Sequence, residues 1–125
     1  MCRMYFSIVK GETDMNFDKI FDVIDELYEK NRSNNDWVQL TEDVYKAAIE
    51  YTNDRVKWNF YSREQKQEND NFRTTKHNSF IDRYNILLRY LGQTMDVSEL
   101  KIEGDRKVLG DFANYIVYRL AVKQR

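Results

Sequence analysis

Three groups of residues in this sequence have the types and spacing that chemistry requires. Asp25-Glu26-x-x-Glu29, followed by Glu50-Tyr51-Thr52-Asn53-Asp54, places carboxylates where two facing helices could hold a hard cation such as Mg²⁺ through oxygen ligands. His77, with Asn78 and Asp82 after it, and Asp105, Arg106 and Asp111 farther along, combine an imidazole, carboxylates and a guanidinium. Such a set suits acid/base work or a phosphate held at a helix start. The stretch 55–76 mixes six basic residues with Trp58, Phe60, Tyr61 and Phe72, a composition that can hold phosphates and stack bases.

Each group has a plainer reading. An all-helical nucleotide pyrophosphohydrolase would need its carboxylates on the inner face. Here Ile20, Ile24 and Leu27 set the core direction of the first helix, so Glu26 and Glu29 project to solvent, and Asn53 stands where a fourth carboxylate should be. His77 reads as a residue just ahead of a helix cap, Asp105 as a cap, and nothing in the sequence itself joins the two segments. Glu64, Glu68 and Asp70 reduce 55–76 to a balance of +3, and a pI near 5.9 leaves a weak footprint for nucleic acid.

The elements that must position these residues follow from apolar periodicity. Phe17, Ile20, Phe21, Ile24, Leu27 and Tyr28 share one helical face, predicting a helix over 17–31 with Asn16 as its cap. A second helix is predicted to start at Thr41, with Glu42 and Asp43 in its first turn and Leu40 stapled to Tyr45, and to run to Phe60 or Tyr61. The polar tract 62–71 reads as a helical extension to Gln67 or as a loop. A third helix is predicted from Asn78 or Ser79 to Leu91, closed by Gly92, with Phe80, Ile81, Tyr84, Leu87, Leu88 and Leu91 inward. After a connector with one short turn near 97–100, Asp105 caps a last helix carrying Val108, Leu109, Phe112, Tyr115, Ile116 and Leu120. In residues 1–10, Met4, Phe6 and Ile8 alternate as in a strand without a second strand to pair with. An extended arm, a short helix or a strand completed by another subunit all fit.

Composition supports one folded body. Ile, Leu, Val and Phe supply about a quarter of the 125 residues, above the range of disordered chains, and 18 aromatics add apolar bulk. The absence of proline removes a common helix breaker. One cysteine and one histidine exclude an internal disulfide, a multi-cysteine metal site and any site needing two imidazoles from one chain. No apolar run approaches a bilayer span and no secretory signal is visible, so the expected location is the cytoplasm, with no membrane contact. No cofactor motif is present. The expectation is an all-α, four-helix bundle-like single domain over 1–125, with an N-terminal arm or short strand.

Two observations point to protein contact. The second helix carries apolar residues on two faces, Tyr45, Ala48, Ile49, Val56 and Phe60 on one and Val44, Ala47, Tyr51 and Trp58 on the other. The last helix is apolar nearly all round from Tyr115 to Val122, with Arg119 inside its core-facing stripe, where it needs a carboxylate or a subunit boundary. Tyr51, Trp58, Tyr118 and Arg119 are therefore the interface candidates. Charge is uneven as well: 11–54 holds twelve acidic and four basic residues, which favours self-association or an internal match.

Lys76-His77-Asn78-Ser79-Phe80-Ile81-Asp82 and Gly104-Asp105-Arg106-Lys107-Val108-Leu109-Gly110-Asp111-Phe112 together resemble small uncharacterised helical proteins of Gram-positive bacteria and their mobile elements. The resemblance covers about the last fifty residues and implies no activity. It implies that Asn78, Asp82, Asp105, Arg106 and Asp111 do more than decorate a surface. A polar cluster tying the third and fourth helix starts together is expected, with Gly110 allowing close helix approach. The resulting expectation is a protein that acts through contacts, as a homodimer or an accessory partner, without catalysis of its own. The alternatives are a small hydrolase or phosphate-ligand protein using that cluster, and weak nucleic-acid binding through 55–76.

Overall fold

The computed structural model describes residues 16–123, so the reading of the N-terminal decapeptide lies outside the described residues. Helix α1 spans Phe17–Lys30, with the Asn16 side chain accepting from the Lys19 amide at 3.0 Å. Ile20, Phe21, Ile24 and Tyr28 form its buried face, as the periodicity predicts.

Helix α2 spans Asn35–Trp58 and starts six residues earlier than the predicted Thr41 cap. Asn34 is the cap instead, its side chain accepting from the Trp37 amide at 3.2 Å. Thr41 is buried inside the helix, and its hydroxyl donates to the Trp37 carbonyl at 3.0 Å. The reason is packing: Trp37, Thr41, Val44, Tyr45 and Ala48 form one continuous buried stripe, which a helix beginning at Thr41 would cut.

Helix α3 spans Arg63–Leu91, so the predicted break before Asn78 is absent and the polar tract is helical. Ser62 and Gln65 form a capping box, with the Gln65 amide 3.1 Å from Ser62 Oγ and the Ser62 amide 2.8 Å from Gln65 Oε1. With that start fixed and no proline or glycine before Gly92, nothing interrupts the 29 residues. A short 3₁₀ turn at Ser98–Leu100 follows, tied down by the Tyr84 hydroxyl donating to the Leu100 carbonyl. Gly104 then takes a φ of +134°, open to glycine and strained for other residues, and turns the chain into α4 (Arg106–Lys123). Asp105 caps α4 as read, accepting from the Val108 amide at 3.2 Å.

The four helices pack as a bundle-like body in which α2 is central, touching α1, α3 and α4. This explains its two apolar faces: Val44, Tyr45, Ala47, Ala48 and Tyr51 are all buried against neighbours in the same chain. Phe112 of α4 is fully buried, its ring 5.2 Å from Phe17, 5.2 Å from Tyr84 and 6.0 Å from Phe80. Helices α1 and α4 run parallel, with Phe17 on Phe112, Asp22 on Arg119 and Asp25 on Lys123. The start of α4 lies level with Arg55 and Thr74, because Gly110 abuts Arg55 and Arg106 reaches Thr74. Among the described residues, 56–72 therefore extend beyond α4 as the projecting end of the α2–α3 hairpin, by about 15 Å at 1.5 Å per residue of α3. Among the described residues no helix is long and apolar enough to cross a membrane.

Truncating Phe112 to alanine removes the ring that joins three helices. Denaturant titration should show a loss of about 3–5 kcal/mol, and a loss below about 1 kcal/mol would contradict this account of the core.

Candidate functional site

The inward stripe of α3 changes character along its length. Leu91, Leu87, Tyr84 and Phe80 are apolar and buried, and the same i, i+3/i+4 row continues as His77, Arg73, Asp70 and Lys66. Opposite it, α2 offers Tyr51, Asp54 and Trp58 in turn. The Tyr51 ring meets the His77 ring edge-on at 5.5 Å, and the Arg73 guanidinium lies 4.5 Å over the Trp58 ring. A polar seam thus occupies the distal part of the hairpin, where the core would otherwise continue.

The start of α4 completes the seam. Arg106 donates to Thr74 Oγ1 at 3.4 Å, one turn before His77. Arg55 lies against the α4 backbone at Gly110, where a Cβ would stand 2.6 Å from its Cζ. Its Nη2 is 3.7 Å from Asp111, which also takes Lys107 at 3.2 Å. Gly110 therefore makes room for a guanidinium, not only for a neighbouring helix.

Several polar atoms in the seam are shut off from solvent without a hydrogen-bond partner among the described residues: Arg55 Nη1, Arg73 Nε, Arg106 Nε, His77 Nε2 and Asp54 Oδ2. Asp54 is only 4 % exposed, and no cation lies within 4.0 Å of its carboxylate among the described residues. Buried polar groups in folded proteins are overwhelmingly paired, by protein groups or by water, so this concentration makes the seam the candidate site. Burial is the main cause that holds the His77 imidazole below its ordinary range. The Asn78 side chain, 3.1 Å from Nδ1, opposes it, and the Arg106 and Arg73 guanidiniums add to the depression.

The residues singled out in the sequence separate accordingly. His77 and Arg106 come together, Asn78 touches His77, and Asp111 joins through Arg55. Asp105 serves as the α4 cap, and Asp82 stands exposed on α3 away from the seam. The cluster ties the middle of α3, not its start, to the start of α4, because α3 begins at Arg63. Asp54 was read with the carboxylate pattern and Arg55, Arg73 and Thr74 fell within the basic stretch 55–76; none of the four was joined to His77. Extending the Leu91–Phe80 row backward by the same spacing would have found Arg73.

The carboxylate pattern disperses. Asp25 accepts from the Tyr45 hydroxyl at 2.9 Å and from Lys123, Glu29 pairs with Lys123 and Arg32, Glu26 with Lys30, and Glu50 with Lys76. Among the described residues no three Asp, Glu, His or Cys side chains gather as metal ligands. The interface candidates divide as well. Tyr51 is 1 % exposed and covered within the chain, and Trp58 is half-buried beneath Arg73 and Lys66. Arg119 is seated on the Phe21 ring at 4.7 Å, with Asp18 at 3.1 Å and Asp22 at 2.7 Å. Only Tyr118, 60 % exposed, remains open. The acidic α1 is thereby matched internally by Arg119 and Lys123.

No family model, curated protein or solved structure matches the chain.

His77 gives a clean pH signature, being the only histidine of the chain. Its folded value lies below the unfolded 6.5, so protonation favours the unfolded state. Its contribution is intact above pH 6.5 and is lost as pH falls below that value, through the folded one. Denaturant stability measured across this window should fall on acidification and flatten in His77→Gln. An equal slope in the variant would place the proton uptake elsewhere.

Proposed function

We propose that the protein works by protein contact, without catalysis of its own, and self-associates through the projecting end of the α2–α3 hairpin. One observation carries this reading: Phe60 is 82 % exposed, with Val56 at 54 % and Phe72 at 52 % nearby. Single exposed apolar residues are common on soluble proteins, but three along one projecting end offer apolar surface that association would cover.

Charge favours a second copy as the occupant. Between residues 57 and 70 the end carries Lys57, Arg63 and Lys66 against Glu64, Glu68 and Asp70, so it is neutral and offers both signs. A two-fold pairing sets the same patch against itself and closes, letting acids of one copy meet bases of the other. The nearby Lys76 and Arg55 are engaged by Glu50 and Asp111 within the chain. Tyr51 and Arg119 play no part, since both are covered or paired internally. The resemblance of the last fifty residues to small Gram-positive proteins adds no activity and is compatible with such a role.

Sedimentation equilibrium from micromolar to submillimolar concentration should show the 15.2 kDa chain giving way to a species of twice that mass. Phe60→Ser combined with Phe72→Ser should weaken the association by about 100-fold or more while the helical circular dichroism stays unchanged. A single 15.2 kDa species throughout the range would overturn the proposal.

A further inference from the structure

We propose that the polar seam between α2, α3 and the start of α4 is a binding site for a phosphoryl oxyanion, either free phosphate or the phosphate of a small ester. The inference is independent of self-association. Arg73 of α3 and Arg106 of α4 both lie close enough to His77 to depress its imidazole pKa, Arg106 also reaches Thr74, and Arg55 of α2 packs against Gly110 one turn along α4. Each turns at least one N–H into solvent-free space without an acceptor among the described residues. Neither Arg73 nor Arg106 has a carboxylate within 4.0 Å among the described residues, and Arg55 reaches Asp111 only at 3.7 Å. Asp111, which Arg55 shares with Lys107, is the one carboxylate within 4.0 Å of any of the three among the described residues.

These guanidiniums are partly exposed, but a guanidinium N–H shut off from solvent without an acceptor is costly, and the planar fork suits the oxygens of a phosphate. One oxyanion seated in the seam beside His77 would accept from Arg73 Nε and Arg106 Nε. His77 fits the same ligand. With Nδ1 engaged by Asn78, its inward Nε2 accepts from a P–OH, or takes up a proton and donates to a P–O⁻. Thr74 Oγ1, already accepting from Arg106, keeps its hydroxyl proton to donate. The seam therefore supplies donors from three side chains and one adaptable imidazole, which a multi-oxygen anion satisfies at once and a chloride does not.

The single histidine is also the reporter. In the 125-residue chain at fixed ionic strength, inorganic phosphate and glycerol 3-phosphate are titrated against the His77 imidazole resonances. The expected result is a saturable shift of those resonances at millimolar ligand or below, with the imidazole titration midpoint moved upward. The tighter of the two ligands identifies free ion or ester. Arg106→Gln should weaken binding by about tenfold or more, whereas Arg63→Gln, outside the seam, should leave it unchanged. Should Arg106→Gln fail to fold, Arg73→Gln gives the same reading. Resonances unmoved by either phosphate, or moved equally by sodium chloride at matched ionic strength, would overturn the proposal.

Discussion

The placement of Phe112 in the centre of the aromatic core governs most of what this molecule presents. Its ring meets α1 through Phe17 and α3 through Phe80 and Tyr84, and α4 packs along α2. Once that ring is seated, helical geometry leaves α4 little choice of register. Arg106 and Gly110 fall beside Thr74 and Arg55 at one end, and Arg119 and Lys123 fall along the acidic side of α1 at the other. A shift of α4 by one residue would rotate it about 100° and break both arrangements.

The two ends of α4 treat positive charge in opposite ways. Toward its C-terminus, Arg119 and Lys123 each meet two carboxylates of α1, and the Arg119 stem and guanidinium also cover Phe21. Exposed ion pairs of this kind contribute roughly 0–1 kcal/mol each, so their effect is to fix orientation more than to add stability. Toward its N-terminus, Arg106 enters a region already holding Arg55 and Arg73, with fewer carboxylates in reach. A protein selected only for stability has little use for that second arrangement, since apolar side chains in the same places would cost less. Local conflict of this sort is characteristic of positions kept for function.

The fold class was legible in the sequence because each helix carries a periodic apolar face, and the caps Asn16 and Asp105 stand where side-chain chemistry requires them. Two boundaries were not. Thr41 and Asn34 are both acceptable caps by type, and only the burial of Trp37 and Thr41 together decides between them. In the tract 62–71 no apolar periodicity exists to follow, although the Ser62–Gln65 capping pair was present to be read. Missing that start displaced His77 from the middle of a helix to its beginning and hid Arg73 from the candidate site. For Arg119 the sequence left a buried carboxylate and a subunit boundary both open; the partners are two exposed carboxylates of α1, reached by contacts spanning up to 101 positions, which no local pattern encodes.

That long separation has a further consequence. Helix α1 is secured by Tyr45 of the central helix and by α4, and its ion pairs with α4 join residues 94 to 101 positions apart. Closing so long a segment carries an entropic penalty that neighbouring contacts must offset, whereas the α2–α3 hairpin joins residues far nearer along the chain. During synthesis, the acidic helix therefore leaves the ribosome well before the basic residues that neutralise it exist. In that interval α2, made next, can already cover the Phe21 and Tyr28 side of α1, whereas the carboxylates that Arg119 and Lys123 later meet stay in water.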